Sequence, residues 1–545
     1  MQKLAISLFT LLIISGAVNA QGNPEKLKRP KLVVGIVVDQ MRWDYLYRYY
    51  DRYASNGGFK RILNQGYSCE NTLIPYTPTY TACGHASIYT GSVPAINGIT
   101  GNAWWDNLLD KTVYCVQDDS VKTVGSNTEQ GQMSPRNMPV TTICDELKLA
   151  TNFRSKVVGF ALKDRGSILP AGHSANAAYW YDNKTGDWIS STYYMSSLPQ
   201  WMKDFNAKKM TDKFYDQGWS TLYPVNTYQQ SVDEGKAYLA KPFGPRFPYD
   251  LKKFAGTNYG VIDATPMGNT LTFEAAKAAL IAEEMGKDSV PDFLAISLST
   301  PDYIGHTFGP NSIEAEDCFL RLDKDLGDLL DFLDEKTGKG QYILFLTADH
   351  GAAHSPSFLS ENKIPTGQKE DESIFNELNK LLKEKAGSDQ LIKEVTNYQV
   401  FLNHAAISNL KKGPDEKTII SIIIDYLVRQ PGIARAVDLG NLSQTTLNTR
   451  VKEMIANGYY PQRSGDIQFL LQPQWLENLP GKGTTHGSWN AYDAHIPLLW
   501  YGWEIKPGKT NKETSMTDIA PTLSAILHIQ MPSGNIGHVI EEVVK

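Results

Sequence analysis

The chain has no CxxC pair, no low-complexity tract, no fixed-period repeat and no excess of positive charge. Without CxxC, a thioredoxin-like or zinc-ribbon protein is excluded. Without a repeat, so is a repeat architecture. Lys and Arg number 53 against 59 Asp and Glu, a formal net charge of -6, which speaks against a general nucleic-acid binder. That sum says nothing against a small anionic ligand, because a local positive pocket does not show in it. Past the first residues no stretch is long and apolar enough to span a bilayer. Cysteine is scarce, five in 545 residues. Cys69, Cys83, Cys115, Cys144 and Cys318 form an odd set, so at least one stays free or bonds another chain; the pairing is not readable.

What is present begins with "MQKLAISLFTLLIISGAVNAQG", which has the three parts of a secretory signal. Lys3 supplies the positive start, Leu4 to Ile14 the apolar core, and Val18-Asn19-Ala20 a small-x-small cleavage site. The apolar core is shorter than the ~20 residues of a spanning helix, so a signal peptide over 1–20 is expected rather than a membrane anchor. No cysteine follows the site, which argues against lipid attachment. The remainder, 21–545, is expected to be exported, to the periplasm, as one large α/β domain with insertions.

Five short apolar, β-branched runs read as buried parallel strands: "LVVGIVV" (Leu32 to Val38), "KVVGFAL" (Lys156 to Leu162), "FLAISLS" (Phe293 to Ser299), "YILFLTA" (Tyr342 to Ala348) and "IPLLWYG" (Ile496 to Gly502). Amphipathic helical patterns lie between them, over Thr270 to Gly286 and Ile313 to Glu335. The alternation predicts an α/β fold: a doubly wound, mostly parallel sheet flanked by helices. Two stretches break the rhythm and read as inserted cap segments, near 176–258 and near 356–482. The second carries its own helices and apolar strands, such as "KTIISIIIDYLV".

The residues that follow the strands carry the chemistry. Asp39 comes just past the first run, Asp302 and His306 past the third, Asp349 and His350 past the fourth, and His486 before the fifth. In open α/β sheets ligands gather at the carboxyl ends of strands. Singly, each residue has a bland reading: a turn or cap aspartate, an i,i+4 helix pair for Asp302 and His306, a turn for "ADHG". His495 reads as a strand-start residue, and His173, His354, His404, His528 and His538 as surface or packing histidines. Jointly, three Asp and three His without thiolates suit zinc-type ions; Mn or Co could occupy such O/N sites too. Six ligands are too many for one tetrahedral ion and fit two. Two ions about 4 Å apart are the usual device for in-line displacement at phosphorus. In "GFALKDRGS", Lys163 and Arg165 stand two apart and point to one side if the strand runs through them. Such a pair can meet the oxygens of a dianion, although a bare K-x-R is more often a solvated strand end.

The stretches "PTYTACGHASIYTGSVPAINGITGN", "STPDYIGHTFGP", "TADHGAAH" and "THGSWNAYDAHIPLLWYG" resemble the alkaline phosphatase superfamily. They are most similar to its phosphate-irrepressible bacterial alkaline phosphatases, relatives of the nucleotide pyrophosphatase/phosphodiesterases. The resemblance implies one zinc held by Asp302, His306 and His486, and a second held by Asp39, Asp349 and His350. It makes Thr81 the nucleophile and a further ligand of the second zinc, forming a phosphothreonine. It also implies that Asn102 donates to a phosphate oxygen and that Lys163 and Arg165 bind the phosphoryl group, a pair the phosphodiesterase relatives lack. "PTYTACGHAS" would open a helix with Thr81 in its first turn and free backbone N–H groups near the phosphate. His85 and Thr79 fall to positioning or packing roles. Ala82 after Thr81, and no obvious third carboxylate cluster, favour the two-zinc type over one with magnesium. "CGHAS" lacks the Pro and Arg that accompany formylglycine in sulfatases, so Cys83 is a weak candidate. The implied function is a zinc-dependent phosphomonoesterase of broad specificity acting on small phosphate monoesters; the alternative is a phosphodiesterase or nucleotide pyrophosphatase. A catalytically silent relative is disfavoured by the intact set. The oligomeric state stays open, a monomer being compatible.

Overall fold

The computed structural model describes residues 27–236, 241–411, 413–478 and 483–544; the predicted signal peptide lies outside them. Its main sheet has eleven strands: β1 (Leu32–Val38), β2 (Tyr67–Leu73), β3 (Thr123–Val124), β4 (Val157–Ala161), β5 (Ala177–Asp182), β6 (Asp187–Ser191), β7 (Asp292–Leu298), β8 (Tyr342–Thr347), β9 (His495–Ile496), β10 (Leu498–Gly502) and β11 (Gly508–Ser515). They lie in the order β9–β2–β10–β8–β1–β7–β4–β5–β6–β3, with β11 beside β2. All residues of β1, β4, β7 and β8 are buried, as strands covered on both faces must be. These four pair in parallel.

One of the five expected parallel strands runs the other way. β10 pairs with β8 antiparallel, Leu346 opposite Leu499. A doubly buried run has the same composition in either direction, so the apolar pattern of "IPLLWYG" carries no signal for this.

Register decides what the sheet presents. Val38 lies beside Leu298, Val37 beside Thr347 and Ala161 beside Ser297. The four central strands therefore end at one level, and the segments after them meet over one edge. The helices that matter are α1 (Thr81–Thr90), α2 (Asp164–Ala171), α3 (Met267–Ala282), α4 (Thr300–Phe308) and α5 (Ile313–Leu333). α5 starts at Ser312, whose side chain accepts from Ala315 N, and buries Phe319, Leu322, Leu326, Leu329, Leu330 and Leu333, an amphipathic stripe.

Of the stretch near 176–258, β5 and β6 belong to the main sheet. The stretch near 356–482 holds a separate four-stranded sheet, made of Ile392–Thr396, Gln399–Leu402, Ile467–Leu471 and Ile433–Asp438. Its own core includes Leu378, Val400, Ile419 and Phe469. "KTIISIIIDYLV" is not a strand there: Glu416–Leu427 is an α-helix, capped by Asp415 accepting from Thr418 N. Its buried residues are Ile419, Ile423 and Leu427, and spacing by four outweighs the strand preference of isoleucine.

All five cysteines are unpaired and buried. A thiol reagent should therefore label none of them in the folded protein within minutes and all five after denaturation. Fewer than five on denaturation would show a disulfide.

Candidate active site

Asp39 stands one residue past β1, and Asp349 and His350 follow β8 after Ala348. Asp302 and His306 lie one turn apart on α4, and His486 comes from the segment ahead of β9. The structure draws them into two groups, each offering one ligand atom per residue with all atoms within 4.8 Å of one another: Asp302, His350 and His486; and Asp39, Asp349 and His350. His350 is common to both. His306 reaches the first group through Asp302, Nε2 to Oδ1 at 3.1 Å.

The histidines are held alike. Nδ1 of His306 lies 2.8 Å from Thr484 O, that of His486 2.8 Å from Thr79 O, and that of His350 2.9 Å from Gly351 O. A carbonyl only accepts, so Nδ1 carries a proton in each, and in His350 and His486 Nε2 is left as the lone pair, the usual preparation of a metal-binding imidazole. His350 Nε2 then faces Asp39 Oδ1 and Asp349 Oδ2, each at 3.4 Å. His486 Nε2 faces Asp302 Oδ1 at 3.6 Å. Lone pairs directed at anionic oxygens repel unless a cation lies between them. Among the described residues, Asp39 Oδ1 and Asp349 Oδ2 are both buried without a hydrogen-bond partner, the condition a cation would relieve. Burial lowers the His350 pKa to about 3 and puts that of His486 well below its ordinary value, so both stay neutral. His306 is half-buried and differs: burial works downward, but Asp302 outweighs it and the pKa is raised. Burial raises Asp39 and Asp349. It works the same way on Asp302, where His306 and Lys163 overcome it and hold the carboxyl well below its ordinary range. This O/N donor set without thiolate fits divalent ions of the zinc kind.

Thr81 is the first residue of α1, and its Oγ1 lies 3.4 Å from His350 Nε2. All ten residues of α1 are buried, and its first turn lies against Asp349, just past β8. A Cβ on Gly84 would come within 2.5 Å of Asp349 O, so only glycine permits the approach. His85 ties the first turn down, with Nδ1 2.8 Å from Thr81 O and Nε2 2.7 Å from Ser297 Oγ. Cys83 is fully buried, and burial pushes its thiol up to about 12, which disfavours it as a nucleophile. Asn102 Oδ1 accepts from Ala82 N at 3.0 Å. One backbone donor expected to be free near the phosphate is thus taken, and the Asn102 amide is oriented with Nδ2 as its remaining donor.

Lys163 and Arg165 do reach one place, but not along a strand. β4 stops at Ala161, Lys163 is the residue that precedes α2, and Arg165 sits in the first helical turn. Both line a cavity of about 330 Å³ with Tyr114 and Tyr303. Lys163 Nζ donates to Asp39 Oδ2 at 2.6 Å and Asp302 Oδ2 at 2.5 Å. Arg165 Nη1 donates to the Tyr114 hydroxyl at 3.1 Å, which donates to Asp164 Oδ1 at 2.6 Å.

Sequence reasoning passed over Gln40 and Tyr114. Gln40, buried at φ 63°, donates from Nε2 to Asp302 Oδ1 at 2.5 Å and from its backbone N to Asp349 Oδ1 at 3.1 Å. Its one signal was adjacency to Asp39. Tyr80 was also missed. Its hydroxyl donates to the buried Glu477 at 2.6 Å, joining the segment that carries Thr81 to the second insertion.

The chain belongs to the type I phosphodiesterase / nucleotide pyrophosphatase family, whose model matches residues 33–489. Among named relatives, alkaline phosphatase PhoV of Synechococcus elongatus is 54% identical over 96% of this chain and 94% of its own. A protein of Myroides odoratus named calcium-transporting ATPase is likewise 54% identical, over 96% of each chain. The crystal structure of wild-type alkaline phosphatase PafA matches with a TM-score of 0.93 at 48% identity, covering 96% of this chain and 100% of that one.

Proposed function

We propose that the chain is an exported, zinc-dependent alkaline phosphatase: a phosphomonoesterase of broad specificity that acts through a phosphothreonine on Thr81. The observation that carries this reading is the position of Thr81 Oγ1, 3.4 Å from Nε2 of the one histidine that belongs to both ligand groups. The names of the PhoV and PafA relatives support it. Asp302, His306 and His486 would hold one zinc, and Asp39, Asp349 and His350 with Thr81 the other. Zinc held there supplies a Lewis acid that lowers the pKa of a hydroxyl group and offsets negative charge. Thr81 Oγ1, fixed at the start of α1, attacks phosphorus in line with the ester oxygen. The bond from phosphorus to that oxygen breaks, and the alcohol leaves with a proton. Hydrolysis of the phosphothreonine releases phosphate and restores the Thr81 hydroxyl. Lys163, Arg165 and Asn102 Nδ2 bind the non-bridging oxygens, and the two cations favour a dianionic monoester over a diester. The ion transport that the Myroides name states finds no support here: among the described residues no helix is long and apolar enough to cross a membrane.

Dialysis against a strong chelator should lower monoester hydrolysis by about 100-fold or more, with recovery on adding zinc. Elemental analysis of the recovered protein should give two zinc per chain. Full activity in the metal-stripped protein would overturn the proposal.

A further inference from the structure

We infer that Lys163 is a fixed counter-charge joining the two ligand groups, so that it works against the metal they bind as well as meeting substrate. The inference rests on the proposed metal reading of those groups. Lys163 is 5% exposed and placed by the junction of β4 and α2. Its ammonium spans Asp39, of one group, and Asp302, of the other. In both cases it takes Oδ2, whereas the histidines face Oδ1. The lysine therefore stands behind the ligands and leaves Oδ1 of each to other groups: Asp39 Oδ1 has no hydrogen-bond partner among the described residues, and Asp302 Oδ1 accepts from Gln40 Nε2. An ammonium has three donors. Two are spent on the carboxylates, which leaves one for a phosphoryl oxygen, and the Tyr303 ring centroid lies 4.9 Å from the nitrogen.

Asp39, Asp302 and Asp349 are all buried, and three converging carboxylates need positive charge to stay there. Lys163 and a divalent ion neutralise the same two carboxylates, Asp39 and Asp302, from opposite oxygens. Each then reduces what the other gains, which is a negative coupling between a residue and a ligand. A lysine acting only as a prop would do the opposite, since its loss would loosen the ligands and weaken the metal.

The test compares wild type with Lys163→Met, metal-stripped and zinc-loaded, by thermal melting and by zinc competition against a chelator of known affinity. The expected result is that the stripped variant loses more Tm than the loaded one, and that it binds zinc about tenfold more tightly. Lys163→Arg, which keeps the charge, should stay within about threefold of wild-type affinity. Equal Tm losses in the two forms, or zinc binding unchanged or weakened in Lys163→Met, overturn the inference. A variant that folds only with zinc is the limiting form of the expected result. Should Lys163→Met fold in neither form, Lys163→Gln carries the same expectation and the same refutation. Wild-type protein that binds no zinc would instead refute the reading of the ligand groups, which separates the two failures.

Discussion

Thr81→Ala should lower kcat/KM for an aryl phosphate monoester by roughly 10³-fold or more, about 4 kcal/mol of transition-state stabilisation. The fold should not share that loss. Among the described residues the Thr81 side chain makes one polar contact, the 3.4 Å approach to His350, and its backbone carbonyl, which holds His85, survives the substitution. Asn102 still accepts from Ala82 N, so the helix start keeps its geometry. Stability should change by less than about 1 kcal/mol. The three ligand histidines do not depend on Thr81 for their orientation, because they are fixed by the carbonyls of Thr79, Thr484 and Gly351. Thr81→Ser, which keeps the hydroxyl, should stay within about tenfold of wild type. The covalent step gives a second readout. Acid-quenched wild type should carry one phosphoryl group on the peptide containing Thr81, and Thr81→Ala none. Activity of Thr81→Ala within tenfold of wild type, or a phosphoryl label on another peptide, would remove Thr81 from the nucleophile's place.

Where the sequence was informative, it was so because a local pattern and a chain position coincided. The run Leu32–Val38 is apolar on both faces, which identifies a central strand, and Asp39 follows it directly. The same logic reached Asp302 and the Asp349–His350 pair. Where it failed, the deciding partner lay far along the chain. Gln40 meets Asp302 across 262 residues, His306 meets the Thr484 carbonyl across 178, and His486 meets Thr79 across 407. Backbone carbonyls have no residue identity, so no motif could announce them. Lys163 and Arg165 line one cavity, but not along a continuing strand. The strand ends at Ala161 and the helix begins at Asp164. Lys163 precedes that helix in extended conformation and Arg165 lies in its first turn, and the Tyr114 hydroxyl, from a separate hairpin, meets Arg165 at the cavity.

Arg165→Ala should cost more for monoesters than for diesters, and the difference decides which reaction the site is built for. The guanidinium is always charged and offers paired N–H donors. One of them is committed to Tyr114, whose hydroxyl is in turn bound to Asp164, so the group is oriented before substrate arrives. A monoester dianion presents more negative charge and three non-bridging oxygens, whereas a diester has replaced one of these with an ester oxygen that cannot use the cation fully. Loss of an oriented charged donor at the phosphoryl group should therefore lower kcat/KM for a mono-aryl phosphate by about 100-fold, near 2.7 kcal/mol. For a bis-aryl phosphate the loss should stay within about threefold. Tyr114→Phe, which removes the hydroxyl while keeping the ring and Arg165 itself, should give a smaller loss in the same direction, about tenfold. Measuring both variants on both substrates gives the ratio directly. Equal losses on the two substrates would mean that Arg165 serves binding common to both, and the site would then be read as that of a phosphodiesterase.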